Sequence, residues 1–167
     1  MVRFHTLLPL FGLALTLVAC NGPKSMSKRA GELYAAGFNE QAANLYTMAL
    51  RKRPGYVDAM VGLKMTGQGV LDVHIGEFQR AALAGRRADA IAEYDRMTAF
   101  KASVAAVGVN LNVPATVESD HADLVDDHLV ELNDLGHAQL EEEEFAAAET
   151  TFKELLRLDP QYEDAAE

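Results

Sequence analysis

The sequence predicts an all-α fold, and three observations carry that prediction. From Met26 onward apolar residues recur at three- and four-residue intervals, as one buried helix face requires, and no stretch holds the apolar–polar alternation of a half-buried strand. Alanine and leucine abound while aromatics make up 7% and tryptophan is absent, so the interior is built from small and aliphatic side chains with high helix propensity. Turn residues also punctuate the periodic runs, at Gly37-Phe38-Asn39, Pro54 and Gly85-Arg86-Arg87. A 167-residue chain with 49% hydrophobic and 24% charged residues has the composition of one globular domain preceded by a leader.

The leader comes first. Met1-Val2-Arg3 precedes an apolar run over residues 4–19, interrupted only by His5, Thr6, Pro9, Gly12 and Thr16. At about sixteen residues the run is shorter than the roughly twenty a spanning helix needs, and it has the anatomy of a secretory signal peptide. It ends in Leu17-Val18-Ala19-Cys20, which resembles the lipobox of bacterial lipoproteins. That resemblance implies cleavage before Cys20, a diacylglyceryl group on its thiol and a further acyl chain, such as palmitate, on the new amino terminus. Asn21, where an aspartate would favour inner-membrane retention, implies the outer membrane, facing the periplasm, in a host with two membranes. The resulting organisation is a signal peptide over 1–19, an anchor and tether over 20–25, and a helical domain over 26–167. With no other cysteine in the chain, disulfides and cysteine-rich metal sites are excluded.

Within the domain, Ala42, Leu45, Tyr46, Ala49 and Leu50 make one helical face, which starts after Gly37 with Asn39 as its expected N-cap and ends at Arg51-Lys52-Arg53 before Pro54. A small residue, an aromatic four positions later and a proline eight beyond that resemble the second helix of a tetratricopeptide repeat. Ala42, Tyr46 and Pro54 fit the pattern, and Ala148, Phe152 and Pro160 repeat it behind Leu132 and Leu135-Gly136. Ala90 and Tyr94 give a middle copy that lacks the proline. The resemblance implies three antiparallel helical hairpins in an α-solenoid. Gly136 and Ala148 would let paired helices approach, and Phe152 would fill the groove toward the neighbouring hairpin.

The array is irregular. Ala42 to Ala90 spans 48 residues and Ala90 to Ala148 spans 58, against the regular 34. The surplus falls in long first helices over 56–83 and 117–140, the former carrying Gly62, Gly67, Gly69 and Gly76 as expected bends or breaks, and in an extended connector over 109–114. After Pro160 only seven residues remain, so Phe152, Leu155 and Leu158 are expected to expose apolar surface that invites a partner or self-association.

Charge is polarised along the chain. Residues 20–101 hold 12 Lys or Arg against 8 Asp or Glu, net +4, whereas 102–167 hold 2 against 17, net −15. The acidic half repels phosphate backbones and argues against nucleic acid as a partner. Arg51-Lys52-Arg53, with Lys24, Lys28 and Arg29, forms a basic group suited to a helix carboxyl end and to anionic headgroups beside the anchor. Glu141 to Glu144 is expected at the last turn, with acids at the start of the helix that follows.

Chemistry finds little footing. His121 and His128 lie among Asp120, Asp123, Asp126 and Asp127, but seven helical residues separate the rings by about 10 Å, where a shared zinc wants a spacing of four. His128 falls on the stripe of Val125, Leu132 and Leu135 and is expected to pack, while His137 is placed to pair with Glu141. Nucleophile elbows, zinc-protease motifs and phosphate-cradling loops are absent from the sequence. The expected function is thus a lipid-anchored module that binds a protein or peptide, without metal or cofactor. The alternatives are an accessory subunit of an outer-membrane assembly, secretion or pilus-type machine and, from another class, a metal-binding protein or enzyme.

Overall fold

A computed structural model of the chain describes residues 22–162; the leader, Cys20 and the last five residues lie outside them. Among the described residues there are six α-helices and no strand: α1 (Pro23–Ala35), α2 (Asn39–Lys52), α3 (Val57–Leu83), α4 (Arg87–Ala105), α5 (Ala115–Glu141) and α6 (Phe145–Leu158). Each helix packs on the next in the chain. Contact is dense within α1/α2, α3/α4 and α5/α6 and across α2/α3, and sparse across α4/α5.

The turns closing the three pairs are copies of one another. At the first, Gly37 N–H donates to the Tyr34 carbonyl and Phe38 N–H to that of Leu33; at the second, Gly85 donates to Ala82 and Arg86 to Ala81; at the third, Glu143 donates to Leu140 and Glu144 to Gln139. These two bonds satisfy the last carbonyls of the incoming helix and put the residue between them in the left-handed region. Gly37, Gly85 and Glu143 have φ of 85°, 70° and 60°. Glycine accepts that conformation freely and glutamate does not. Five residues beyond each turn stand Ala42, Ala90 and Ala148, all at most 1% exposed, and nine beyond stand Tyr46, Tyr94 and Phe152.

Burial divides into two clusters. The larger joins α1 to α4, the connector and the start of α5, through Leu50, Leu63, Leu71, Phe78, Met97, Val104 and Val117. The smaller, Leu129, Leu132 and Leu155 with Val125, Leu156, Leu158 and Tyr162 against them, belongs to α5 and α6 alone. Helix α5 thus serves both, its first half through Val117 and Leu124 and its second through Leu129 and Leu132.

Several expectations change. Helix α1 begins at Pro23, with proline at its first position, where the missing N–H costs nothing, so residues 23–25 of the expected tether are helical, while Cys20 and Asn21 lie outside the described residues. Asn39 is the first helical residue of α2 rather than its cap; Phe38 holds the cap position, with no side-chain cap bond. Helix α3 runs unbroken through Gly62, Gly67, Gly69 and Gly76, because the burial of Leu63, Leu71 and Phe78 outweighs the modest helix penalty of each glycine. Leu135, expected in the packing between helices, is 49% exposed, and Leu155, expected at the surface, is fully buried while Phe152 and Leu158 are half-buried. Of the four glutamates, Glu141 ends α5, Glu142 and Glu143 form the turn and Glu144 caps α6, whose first turn has no acid.

Candidate interaction surface

The repeated aromatics occupy three different seats. Phe152 lies over Gly136 on its partner helix, its ring carbons 2.6 to 2.9 Å from where a β-carbon would stand. It therefore closes its own helix pair rather than the groove toward a neighbour, and the His137 ring, expected to pair with Glu141, packs edge-on against it with centroids 5.4 Å apart. Tyr46 reaches across to Gly62 of α3 even more closely and has its hydroxyl over Gly31, so it locks α1, α2 and α3 together. Tyr94 has no glycine facing it, and its ring instead stacks on His121 of α5, centroids 3.6 Å apart and 10° from parallel, with Phe78 beside both.

That stack ties α4 to α5 beside the buried Val117; ion pairs of Arg87 to Glu131 at 2.8 Å and to Asp127 at 3.6 Å, and of Lys101 to Glu118 at 3.9 Å, flank it. Burial pushes the His121 imidazole below its ordinary value against the weaker pull of Asp95, and its Nε2 is buried without a hydrogen-bond partner. His128 is buried beside Leu129 and Leu132, with Nδ1 3.2 Å from Glu131, as its stripe predicted. No group of three metal-capable side chains converges among the described residues.

Between α3 and α4, Glu93 is buried with its carboxylate 2.5 Å from His74 Nδ1 and bonded by Arg96 from the next turn. Burial raises the carboxyl, but the bonds from His74 and Arg96 prevail and hold it below the usual carboxylate range. The arrangement satisfies a buried charge.

Two of the clefts among the described residues border the body of α3. One, of about 330 Å³, lies between the first turn and the middle of α3, lined by Phe38, Asn39, Glu40, Gln41, Val70 and Val73. Phe38 and Val73 are 53% and 58% exposed, so it presents apolar surface framed by amide and carboxylate groups. The other, of about 410 Å³, lies between Met60, Val61, Lys64 and Met65 of α3 and Gly108 to Asn110 of the connector. The connector over 109–114 has neither helix nor strand and lies along α3: Val109 and Leu111 are buried, and the Gln68 carboxamide both donates to the Asn112 carbonyl and accepts its N–H, each at 3.0 Å.

The sequence pattern located the alanines and aromatics, but it gave Phe38 only a place in a turn, read Gly62 as a bend and singled out neither Val73 nor Gln68. Their signal was faint: an apolar residue inside a glycine turn, and a glutamine whose partner lies 44 positions away. No family model, no curated protein and no solved structure matches the chain.

Proposed function

We propose that the protein is a lipid-anchored, tetratricopeptide-like interaction module of the bacterial cell envelope, held at Cys20, that captures a protein segment in the cleft between the first turn and α3. The observation that carries this reading is the threefold recurrence of one local design: a left-handed turn, a buried alanine five residues on and an aromatic nine residues on. Helical hairpins stacked from such repeats present extended surfaces that bind protein segments. Phe38 and Val73 are the apolar anchors, and Asn39 and Gln41 offer amides to a backbone. Catalysis is not part of the reading, because the sequence carries no nucleophile elbow, zinc-protease motif or phosphate-cradling loop.

The test is a photo-crosslinking amino acid at Val73 in intact cells. A discrete protein adduct, lost on Phe38→Asp, is the expected result. An absence of adducts from Val73, with the protein monomeric in detergent extracts, would contradict it.

A further inference from the structure

Helix α1 starts at Pro23, leaving only Asn21 and Gly22 between it and Cys20. From Cys20 to Pro23 the chain spans at most about 11 Å when fully extended. An acyl chain on Cys20 would therefore hold one particular end of the fold at the bilayer. The structure shows what that end carries.

Helix α2 returns antiparallel to α1 after a tight turn and brings Arg51, Lys52 and Arg53 back to the level of Lys24 and Lys28. Arg53 stacks 5.2 Å from the Tyr56 ring centre, and a cleft of about 590 Å³ is shared by Gly22, which caps α1, and by Lys24, Ser25 and Lys28 of α1 with Tyr56 and Asp58 at the start of α3. The three helix ends thus meet. From this corner the first turns of α3 present Val57, Val61 and Met65, spaced by four and 55% to 66% exposed. The Tyr56 hydroxyl donates to Asp58, the acid of this corner.

The acidic residues lie toward the opposite end. Helix α5 has eight carboxylates and no lysine or arginine. Its Glu131 meets Arg87 at the start of α4, and the ten residues from there to Glu141 carry the glutamate turn roughly 15 Å further along the axis. Sequence polarity thus becomes a polarity in space.

We infer that the corner formed by the amino ends of α1 and α3 and the carboxyl end of α2 is a membrane-docking surface for anionic lipid, with Lys24, Lys28, Arg51 and Arg53 on headgroups and Val57 and Val61 at the headgroup–acyl boundary. The occupant is the bilayer for two reasons: the anchor is only two residues away, and the corner is basic while the far tip is repelled by the same negative surface. Exposed valines flanked by lysine and arginine match the mixed polarity of that boundary. Docking stands the fold on its basic corner, with α5 and α6 directed outward. This inference rests on the reading of Cys20 as the lipidated residue.

Since acylation blocks Cys20, Val61→Cys in the full chain adds the single free thiol for a fluorescent label, and Leu140→Cys gives the matching site near the far tip. The lipidated protein is reconstituted in phosphatidylcholine vesicles with and without phosphatidylglycerol and probed with a water-soluble quencher. With anionic lipid the Val61→Cys label is expected to be shielded and the Leu140→Cys label open, with shielding lost in a Lys24→Glu, Arg51→Glu, Arg53→Glu variant whose helical circular dichroism is unchanged. A Val61→Cys label equally open with and without anionic lipid overturns the docking surface but not the anchor. Shielding that appears in detergent as protein concentration rises overturns it in favour of a second copy. A purified chain with a free Cys20 thiol overturns the anchor reading and this inference with it.

Discussion

The Phe152 ring lies where a β-carbon on Gly136 would stand, so the α5/α6 pair is closed by an aromatic pressed onto bare backbone. Tyr46 does the same to Gly62 between α2 and α3. Gly136→Ala and Gly62→Ala each set a helix-propensity gain of about 1 kcal/mol against an overpacking cost of about 1–3 kcal/mol. Both are expected to destabilise, Gly62→Ala more because Tyr46 is buried and Phe152 can yield toward solvent. Gly76, with nothing within 4 Å of its added β-carbon, is the control: Gly76→Ala is expected to stabilise by about 0.5–1 kcal/mol in urea melts.

Glu143 sits in a turn whose two copies use glycine. Glu143→Gly removes the left-handed strain of a side-chain-bearing residue and one of four adjacent negative charges. It is expected to raise stability by about 1 kcal/mol, and Gly85→Ala to lower it by a similar amount, both read as shifts in the denaturation midpoint.

His121 joins α5 to α4 through its stack on Tyr94. Its imidazole is held below the ordinary 6.5, so the unfolded chain binds the proton more readily. The stability gained from the neutral ring is complete above 6.5 and is lost as pH falls from there through the lower folded value. His121→Phe keeps a flat ring against Tyr94 and cannot charge. The expected result is similar stability at neutral pH and, below 6.5, a wild-type protein that loses stability relative to the variant.

Gln68 holds the connector by reading both backbone groups of Asn112. Gln68→Ala is expected to cost about 1–2 kcal/mol and to speed hydrogen exchange at Asn112, leaving exchange in the middle of α2 unchanged.

What the sequence disclosed was local. Ala42 with Tyr46, Ala90 with Tyr94 and Ala148 with Phe152 sit four residues apart on single helices, so a 3.6-residue period exposes them, and the turns betray themselves through Gly37 and Gly85. Relationships across elements were hidden. Nothing near Gly62 announces that Tyr46 of another helix lies on it, and the glycines of α3 read as breaks because their compensation comes from Leu63, Leu71 and Phe78 packing elsewhere. The third turn escaped as a left-handed position because a run of glutamates carries no such mark. The His121–Tyr94 stack joins residues 27 positions apart on different helices, and acidic neighbours drew attention to the wrong property of that histidine.

The proposed orientation at the membrane and the proposed docking of the basic corner both rest on attachment at one atom, the Cys20 sulfur. Intact mass spectrometry of the protein from its native membrane fraction measures that directly. The predicted mass corresponds to a chain beginning at Cys20 and carrying a diacylglyceryl group with a further acyl chain. A mass equal to the uncleaved polypeptide, with its thiol free to alkylate, would contradict the account.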